Sequence, residues 1–301
     1  MRSSIEYYHR ERGTLEQEQI YGERYLRFVY GHPVGRLLLF AFVKRALFSR
    51  LYGALMSSRR SRRKIAPFIE TYGIDTSEFV AAEFGSFNEF FHRRLHPSAR
   101  PVCAEPDAFV LPADGRHSVF PDLTLARPQY IKHCAFDLPR FLGDATLALA
   151  YESGAMLVSR LAPVDYHRFH FPVDGHATDP RLIPGFLYSV SPLALERVPR
   201  TFVDNKRWVT VIDSQRFGRV VFVEVGATNV GSVVHTAAAG PVHRGDEKGY
   251  FLFGGSTVVV LLEPGRVDWS DDLLEHSARG CEVYAKMGER VGTAALPADD
   301  A

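Results

Sequence analysis

The chain has 301 residues, of which 46% are hydrophobic and 24% charged, so it is a globular sequence long enough for one large domain or two ordinary ones. A net charge of +1 excludes the overall basic signature of a nucleic-acid binder. Cys103, Cys134 and Cys281 stand far apart; an odd count without paired spacing excludes a disulfide framework or zinc knuckle, and idle thiols in a reducing compartment are expected.

The start, Met1-Arg2-Ser3-Ser4-Ile5-Glu6, is polar and lacks the apolar core of a signal peptide. Residues 14 to 70 read as helical. Within them Leu37–Val43 is apolar, but Lys44-Arg45 ends the run after seven residues, whereas crossing a bilayer takes about 20. A second apolar stretch, Ala46–Met56, leads into Arg59-Arg60-Ser61-Arg62-Arg63-Lys64, five cations in six residues. Apolar bulk beside clustered cations suits an interfacial hairpin that meets anionic lipid. The plainer alternative is a hairpin packed on its own domain with solvated arginines. Two further helices are predicted. Asp75-Thr76-Ser77-Glu78 offers caps ahead of Phe79–Ala82, and Ser86-Phe87-Asn88-Glu89 fits a capping box. Phe87, Phe90 and Phe91 then form one core-facing side. Pro97 and Pro101 close the region.

From about residue 107 the apolar runs shorten to strand length and Pro and Gly recur. Predicted strands are Met156–Leu161, Trp208–Ile212, Arg219–Val225, Ser232–Thr236, Phe251–Phe253 and Thr257–Leu262. Turn signals separate them, including Pro112-Ala113-Asp114-Gly115, Val173-Asp174-Gly175, Ile183-Pro184-Gly185 and Glu263-Pro264-Gly265. The expected class is α+β. A mainly antiparallel β body, barrel- or sandwich-like, spans residues 107–301, and a helical, membrane-contacting region spans residues 1–106.

Three polar sites in the body carry chemistry. Asp114 lies in the Pro-Ala-Asp-Gly turn, His167 and His170 lie in Tyr166-His167-Arg168-Phe169-His170-Phe171-Pro172, and Ser256 follows two glycines in Gly254-Gly255-Ser256-Thr257. Paired glycines admit backbone conformations closed to other residues, which lets a serine hydroxyl fold back on the carbonyl of Gly255. Attack there gives an ester. Elimination leaves dehydroalanine, which hydrolyses to a pyruvoyl ketone, an electron sink like pyridoxal phosphate. An aspartate, a histidine and a serine supply the acid, base and nucleophile such an attack needs. Taken singly, each has a duller reading: a tight turn, a turn-forming Asp-Gly, a core histidine among aromatics. The two histidines have no third metal ligand near them in sequence, and on a strand they face opposite sides. The nucleophile elbow Gly-x-Ser-x-Gly fails because residue 258 is Val. Gly226–Ser232 lacks the ending of a phosphate loop and reads as a polar turn that can line a pocket.

Together these stretches resemble the phosphatidylserine decarboxylase proenzymes from about residue 20 to residue 292. The resemblance rests on Pro112–Gly115, Asp165–Pro172, Pro184–Val190, Asn205-Lys206-Arg207, Val225–Ser232 and Phe253–Thr257 in that order. It implies self-cleavage between Gly255 and Ser256 into a large β chain, 1–255, and a small α chain, 256–301, which stay paired. It implies a cleavage triad of Asp114, His170 and Ser256, and a part for His167 in decarboxylation. The cofactor implied is pyruvate, the pyruvoyl group formed from Ser256, with no metal. Phosphatidylserine is then converted to phosphatidylethanolamine and carbon dioxide through a Schiff base. The location implied is the cytoplasmic face of the cell membrane, held peripherally on an anionic surface, with homo-oligomerisation left open and no nucleic-acid partner. Gly254 stands where many members have Leu, and His133 where Gly is expected in Ile131-Lys132-His133. Two other readings remain: a non-catalytic lipid-binding homologue, and a pyruvoyl decarboxylase acting on a soluble amino acid.

Overall fold

A computed structural model describes residues 5–39, 46–124, 137–195, 197–198, 200–227, 233–253 and 256–295. Gly254, Gly255, Cys134, the Ile131-Lys132-His133 departure and residues 228–232 of the polar turn lie outside the described residues, as does part of the Leu37–Val43 run.

The chain opens on two strands, β1 (Glu6–His9) and β2 (Thr14–Gln17), rather than entering a helix at residue 14. Gly13, in the left-handed region at φ 64°, turns the chain back so that Thr14 pairs with His9. Alternate burial of Tyr7 and His9 is what a strand, not a helix, extracts from Glu-Tyr-Tyr-His. Helices begin at Glu23, with α1 (Glu23–Gly31), α2 (Pro33–Leu38), α3 (Ala46–Met56) and α4 (Ile65–Tyr72). Among the described residues no helix is long and apolar enough to cross a membrane.

The helix expected after Glu78 does not form. Asp75 caps only a short 3-10 turn through the amide of Ser77. Phe79 then bridges Leu95, and Val80 N–H donates to the Arg94 carbonyl at 3.0 Å, so this backbone is spent on strand-like pairing. The predicted cap at Ser86 opens α5 (Phe87–Phe91), its Oγ accepting from Glu89 N at 3.2 Å. Glu89 reaches back one residue further than a capping box requires, to Gly85 N at 2.7 Å. Phe87, Phe90 and Phe91 are buried with Phe68 and with Phe253 from the body.

The body is built on one large sheet. Its middle strands are β5 (Ala155–Leu161), β9 (Arg207–Ser214), β10 (Gly218–Val225) and β14 (Ser256–Leu262), each one longer than or shifted slightly from its predicted run. β4 (Gly115–Phe120) and β16 (Glu282–Ala285) continue it to β1 and β2. β1 runs parallel to β16; the other strand pairs described are antiparallel. The far edge is formed by β7 (Gly175–Ala177), β8 (Arg181–Ile183) and β12 (Gly240–Val242). Two small sheets complete the body: β11 (Val233–His235), β13 (Glu247–Phe251) and β6 (Arg168–His170), and β15 (Val267–Trp269), β17 (Arg290–Ala294) and β3 (Ala108–Val110). The predicted strand Phe251–Phe253 is instead the end of β13, which stops at Phe251.

No barrel closes among the described residues, because β12 and β2 end the large sheet without pairing to each other. The expected barrel-like body is therefore corrected to open, packed sheets. Alternate residues of β14 feed two cores: Val258, Val260 and Leu262 one, Val259 and Leu261 the other.

A buried ionic cluster ties the first residues to the last. Arg160 on β5 binds Glu18 through two nitrogens at 2.9 and 2.7 Å, and binds Glu282 on β16 through two more contacts. Beside it, Arg116 grips both oxygens of Asp165 at 2.8 and 2.6 Å. Burial opposes the charge on Glu18, but Arg160 outweighs it and holds that carboxyl below its usual range. Removing the cation alone strands two buried carboxylates. Arg160→Met is expected to lower stability in urea denaturation by about 3 to 5 kcal/mol, and adding Glu18→Gln and Glu282→Gln is expected to recover much of that loss.

Candidate active site

Ser256 is the first residue of β14 and is fully buried. Its register partner on β5 is Leu161, and Thr257 next to it faces Arg160. Among the described residues the Ser256 hydroxyl has no hydrogen-bond partner. A buried hydroxyl without a partner costs free energy, so such an atom is expected where chemistry needs it.

The segment just before the glycines is pinned by the helical region. Phe253 N–H donates to Asn88 Oδ1 at 2.8 Å. Its ring meets Phe87 and Phe91 edge-on, each at 5.0 Å between centroids, and stacks near Tyr52. The chain therefore enters the Gly-Gly pair from one fixed point and leaves it into the middle of the sheet.

His167 lies immediately before β6, its ring 3.7 Å from that of Phe91 between centroids. Its Nδ1 is 2.9 Å from the carbonyl of Asp165, so Nδ1 carries the proton and donates it. That leaves Nε2 as the basic nitrogen, buried and without a partner among the described residues. Burial pushes the imidazole down to about 3, so it is neutral at physiological pH.

His170 ends β6 and shows the same tautomer, Nδ1–H donating to the Gly245 carbonyl at 2.9 Å. Its Nε2 lies 3.4 Å from the Tyr166 hydroxyl. Burial lowers the imidazole, partly offset by the Gly245 carbonyl and the charges of Glu247 and Asp114. Burial also holds the Tyr166 phenol well above its ordinary range, so it stays protonated and is the donor to Nε2.

Asp114 sits just ahead of β4 and is almost fully buried. Arg100 binds both its oxygens, Nε at 2.9 Å to each and Nη2 at 2.6 Å to Oδ2. Met287 N–H donates to Oδ1 at 2.9 Å. Gly115 must follow, because a Cβ there would lie 2.5 Å from the Arg160 carbonyl oxygen. The Asp114 turn and the His170 strand are joined by the backbone: His170 N–H donates to the Pro112 carbonyl at 2.7 Å.

The fold thus gathers the Asp114 turn and His170 on one backbone hydrogen bond. Among the described residues it draws no side-chain hydrogen bond between Asp114, His170 and Ser256. Gly255, the other half of the expected cleavage site, lies outside the described residues.

Two cavities of about 550 Å³ flank these residues. One is polar and is walled by Arg93, Arg100, Asp114, Asp165, Tyr166 and Tyr284. The other is largely apolar, with Tyr21, Tyr25, Leu26, Tyr52 and Phe253 in its wall and Leu161, the partner of Ser256, at one side.

A family model described as phosphatidylserine decarboxylase matches residues 87–293. The chain belongs to the phosphatidylserine decarboxylase family. It is 46% identical over 289 residues to a phosphatidylserine decarboxylase proenzyme of Chlamydia muridarum, covering 95% of this chain and 96% of that one. Proenzymes of the same name from Chlamydia pneumoniae and Clostridium novyi are 42% and 39% identical over 278 and 292 residues, covering 91% and 96% of this chain and 92% and 99% of theirs.

The family's motifs marked Asp114, both histidines and Ser256, but not Arg100 or the phenol of Tyr166. Tyr166 lies inside the Asp165–Pro172 motif, but the resemblance gives it no role. For Arg100 the available signal was indirect: a buried carboxylate requires a cation, and sequence does not say which of 36 lysines and arginines supplies it.

A further buried histidine, His117, donates Nε2–H to the Ala285 carbonyl at 3.2 Å and accepts from Ser159 at Nδ1, and burial pushes it, like His167, down to about 3. Both rings are depressed below the ordinary 6.5. Between those values the unfolded chain binds protons that the native chain does not, so stability falls as pH drops through that window. Each histidine contributes a slope of about 1 kcal/mol per pH unit there. Chemical denaturation from neutral pH to about pH 5 is expected to show this loss, and His117→Gln to flatten it by one histidine's share.

Proposed function

We propose that the chain is a phosphatidylserine decarboxylase proenzyme that cuts itself between Gly255 and Ser256. The observation that carries this reading is the Ser256 hydroxyl, buried and, among the described residues, without a partner at the head of β14, beside the apolar cavity. That state fits a serine destined to be converted, because no described hydrogen bond is lost when the hydroxyl goes.

Asp114 and His170 act on Ser256 as carboxylate and base. For His170 Nε2 to take the serine proton, the Tyr166 hydroxyl must leave it. Ser256 Oγ then attacks the Gly255 carbonyl carbon, and the peptide C–N bond gives way to an ester. Loss of the Cα proton and cleavage of the Cβ–O bond release the Gly255 carboxylate and leave dehydroalanine. Water replaces the nitrogen as ammonia, which makes the ketone.

That pyruvoyl group, bound through residue 256, supplies the electron sink for decarboxylation of an amino acid headgroup. The chain's own residues do the rest. Tyr21, Tyr25, Tyr52 and Phe253 line an apolar cavity suited to the lipid portion of the substrate. His167, with Nε2 open, is the proton carrier at carbon; being neutral, it must collect a proton before it delivers one.

The helical region beside this cavity supports a membrane-facing role. Tyr25, Phe28, Val34, Leu37, Leu51 and Leu55 are exposed, Leu37 at 67%. Arg59, Arg60, Arg62, Arg63 and Lys64 are exposed on the adjoining 3-10 segment, with Arg62 paired to Glu83 at 2.9 Å. Exposed apolar side chains beside cations match an interfacial anchor and favour a lipid over a soluble amino acid as substrate.

Mass spectrometry of the purified chain is expected to find two fragments, 1–255 and a pyruvoyl-blocked 256–301. Ser256→Ala is expected to stay whole and inactive, and His170→Ala to cut far more slowly. His167→Ala is expected to cut yet decarboxylate phosphatidylserine poorly. An intact wild-type mass under all conditions would leave the non-catalytic lipid-binding reading. Flotation with phosphatidylserine-containing vesicles is expected to carry the protein upward. Neutralising Arg59, Arg60 and Arg63 is expected to weaken that binding by about 1 kcal/mol per charge.

A further inference from the structure

We infer that Arg100 is a positioning residue for self-cleavage, holding Asp114 as a fixed anion beside the His170 strand. The inference rests on the reading that Asp114, His170 and Ser256 perform the cut.

Both Asp114 oxygens are occupied. Oδ1 accepts from Arg100 Nε and Met287 N, and Oδ2 accepts from Arg100 Nε and Nη2. His170 is bonded elsewhere, to Gly245 and Tyr166, and no described side-chain hydrogen bond joins it to Asp114; the two segments meet where His170 N–H donates to the Pro112 carbonyl, so in this proposal Asp114 serves as a nearby charge. An anion that works through its field must be ionised and must not move. Among the described residues Arg100 is the cation that touches Asp114. Arg93 is near enough to feel the carboxylate, but its Nη2 donates to the Val164 carbonyl. A two-nitrogen grip also fixes the plane of the carboxylate, which a point charge cannot do.

Arg100 is itself anchored. Its Nη1 binds Glu78 at 3.0 Å and the Ala99 carbonyl at 2.6 Å. Burial opposes its charge, but Asp114 and Glu78 outweigh burial and raise the guanidinium above its ordinary value. The other hydrogen bond to Asp114, from Met287, comes from the segment after Ser256. The carboxylate is therefore held from both sides of the expected cut.

The charged and titratable groups around Asp114 come from several elements. Arg93 and Arg100 precede β3, His117 lies on β4 and Tyr284 on β16. The stretch running into β6 adds Asp165, Tyr166 and His170. Without a cation in contact, a buried carboxylate takes up a proton at higher pH, so the acid limb of cutting must move upward.

The test is a pulse–chase of the full chain made by cell-free synthesis, diluted into buffers from about pH 5 to about pH 9, with fragments 1–255 and 256–301 followed over time. Arg100→Gln is expected to slow cutting about tenfold or more and to raise the acid limb by about one pH unit. Arg100→Lys keeps a charge but not the fork, so it is expected to hold the acid limb and still cut more slowly. If wild type cuts and Arg100→Gln cuts at the same rate with an unmoved acid limb, the inference fails alone. If wild type never cuts, the self-cleavage reading fails and takes this inference with it. Should Arg100→Gln lack a cooperative melt, Arg100→Lys decides: wild-type speed overturns the positioning role, and slower cutting at an unmoved acid limb supports it.

Discussion

The pairing of β14 on both its edges is the constraint on which the rest of the molecule depends. Every residue of that strand is buried, and it is hydrogen-bonded to β10 on one side and β5 on the other. The serine of interest is its first residue, so the backbone beyond the Gly-Gly pair cannot swing. What moves in any self-cleavage must be upstream of Ser256, and there Phe253 is fastened to α5 by Asn88. Between those two fixed points lie only the glycines, the residues best able to adopt the bent backbone an internal attack demands.

The same pairing explains how a cut chain can stay folded. Residues after Ser256 contribute β14 in the sheet interior, β16 between β4 and β1, and β17 beside β3. Glu282 adds a buried ionic contact to Arg160, and Met287 a hydrogen bond to Asp114. These links run to parts of the chain before Gly255, so the small segment is held by packing and pairing independent of the peptide bond. A sheet strand flanked on both sides exposes no free edge, which is the condition for keeping such a fragment in place.

Much of the body was legible because its strands are long and apolar. Arg207–Ser214, Gly218–Val225 and Ser256–Leu262 are rich in Val and other β-favouring apolar residues, a pattern that suits a buried strand. Of the three-residue strands only β11 was anticipated, within Ser232–Thr236; the others were not legible, since their pairing is imposed by neighbours and not by local pattern. The opening strands were missed for a related reason: Tyr7, Tyr8 and His9 of β1 pair with Glu282, Val283 and Tyr284 of β16, at the other end of the chain. At Phe79 a cap was present, but the tertiary bridge to Leu95 prevailed over local helix preference. The candidate site divides the same way. Motif order exposed Asp114, His167, His170 and Ser256, whereas their holders, Arg100, Tyr166 and Gly245, are chosen by three-dimensional proximity.

In the described arrangement no two members of the proposed triad are bonded to each other. Asp114 is bound by Arg100 and Met287, His170 by Gly245 and Tyr166, and the serine hydroxyl by nothing described. For the proposed cut, made once per molecule, this is a coherent design. A base permanently bonded to the serine would speed attack but would also act before the sheet had assembled. A base whose Nε2 is covered by a weak, 3.4 Å contact to a phenol is available at small cost once the backbone brings the hydroxyl near. With the carboxylate held by two partners and the histidine's phenol contact loose, the proposed cut waits on whatever brings the Ser256 hydroxyl to His170.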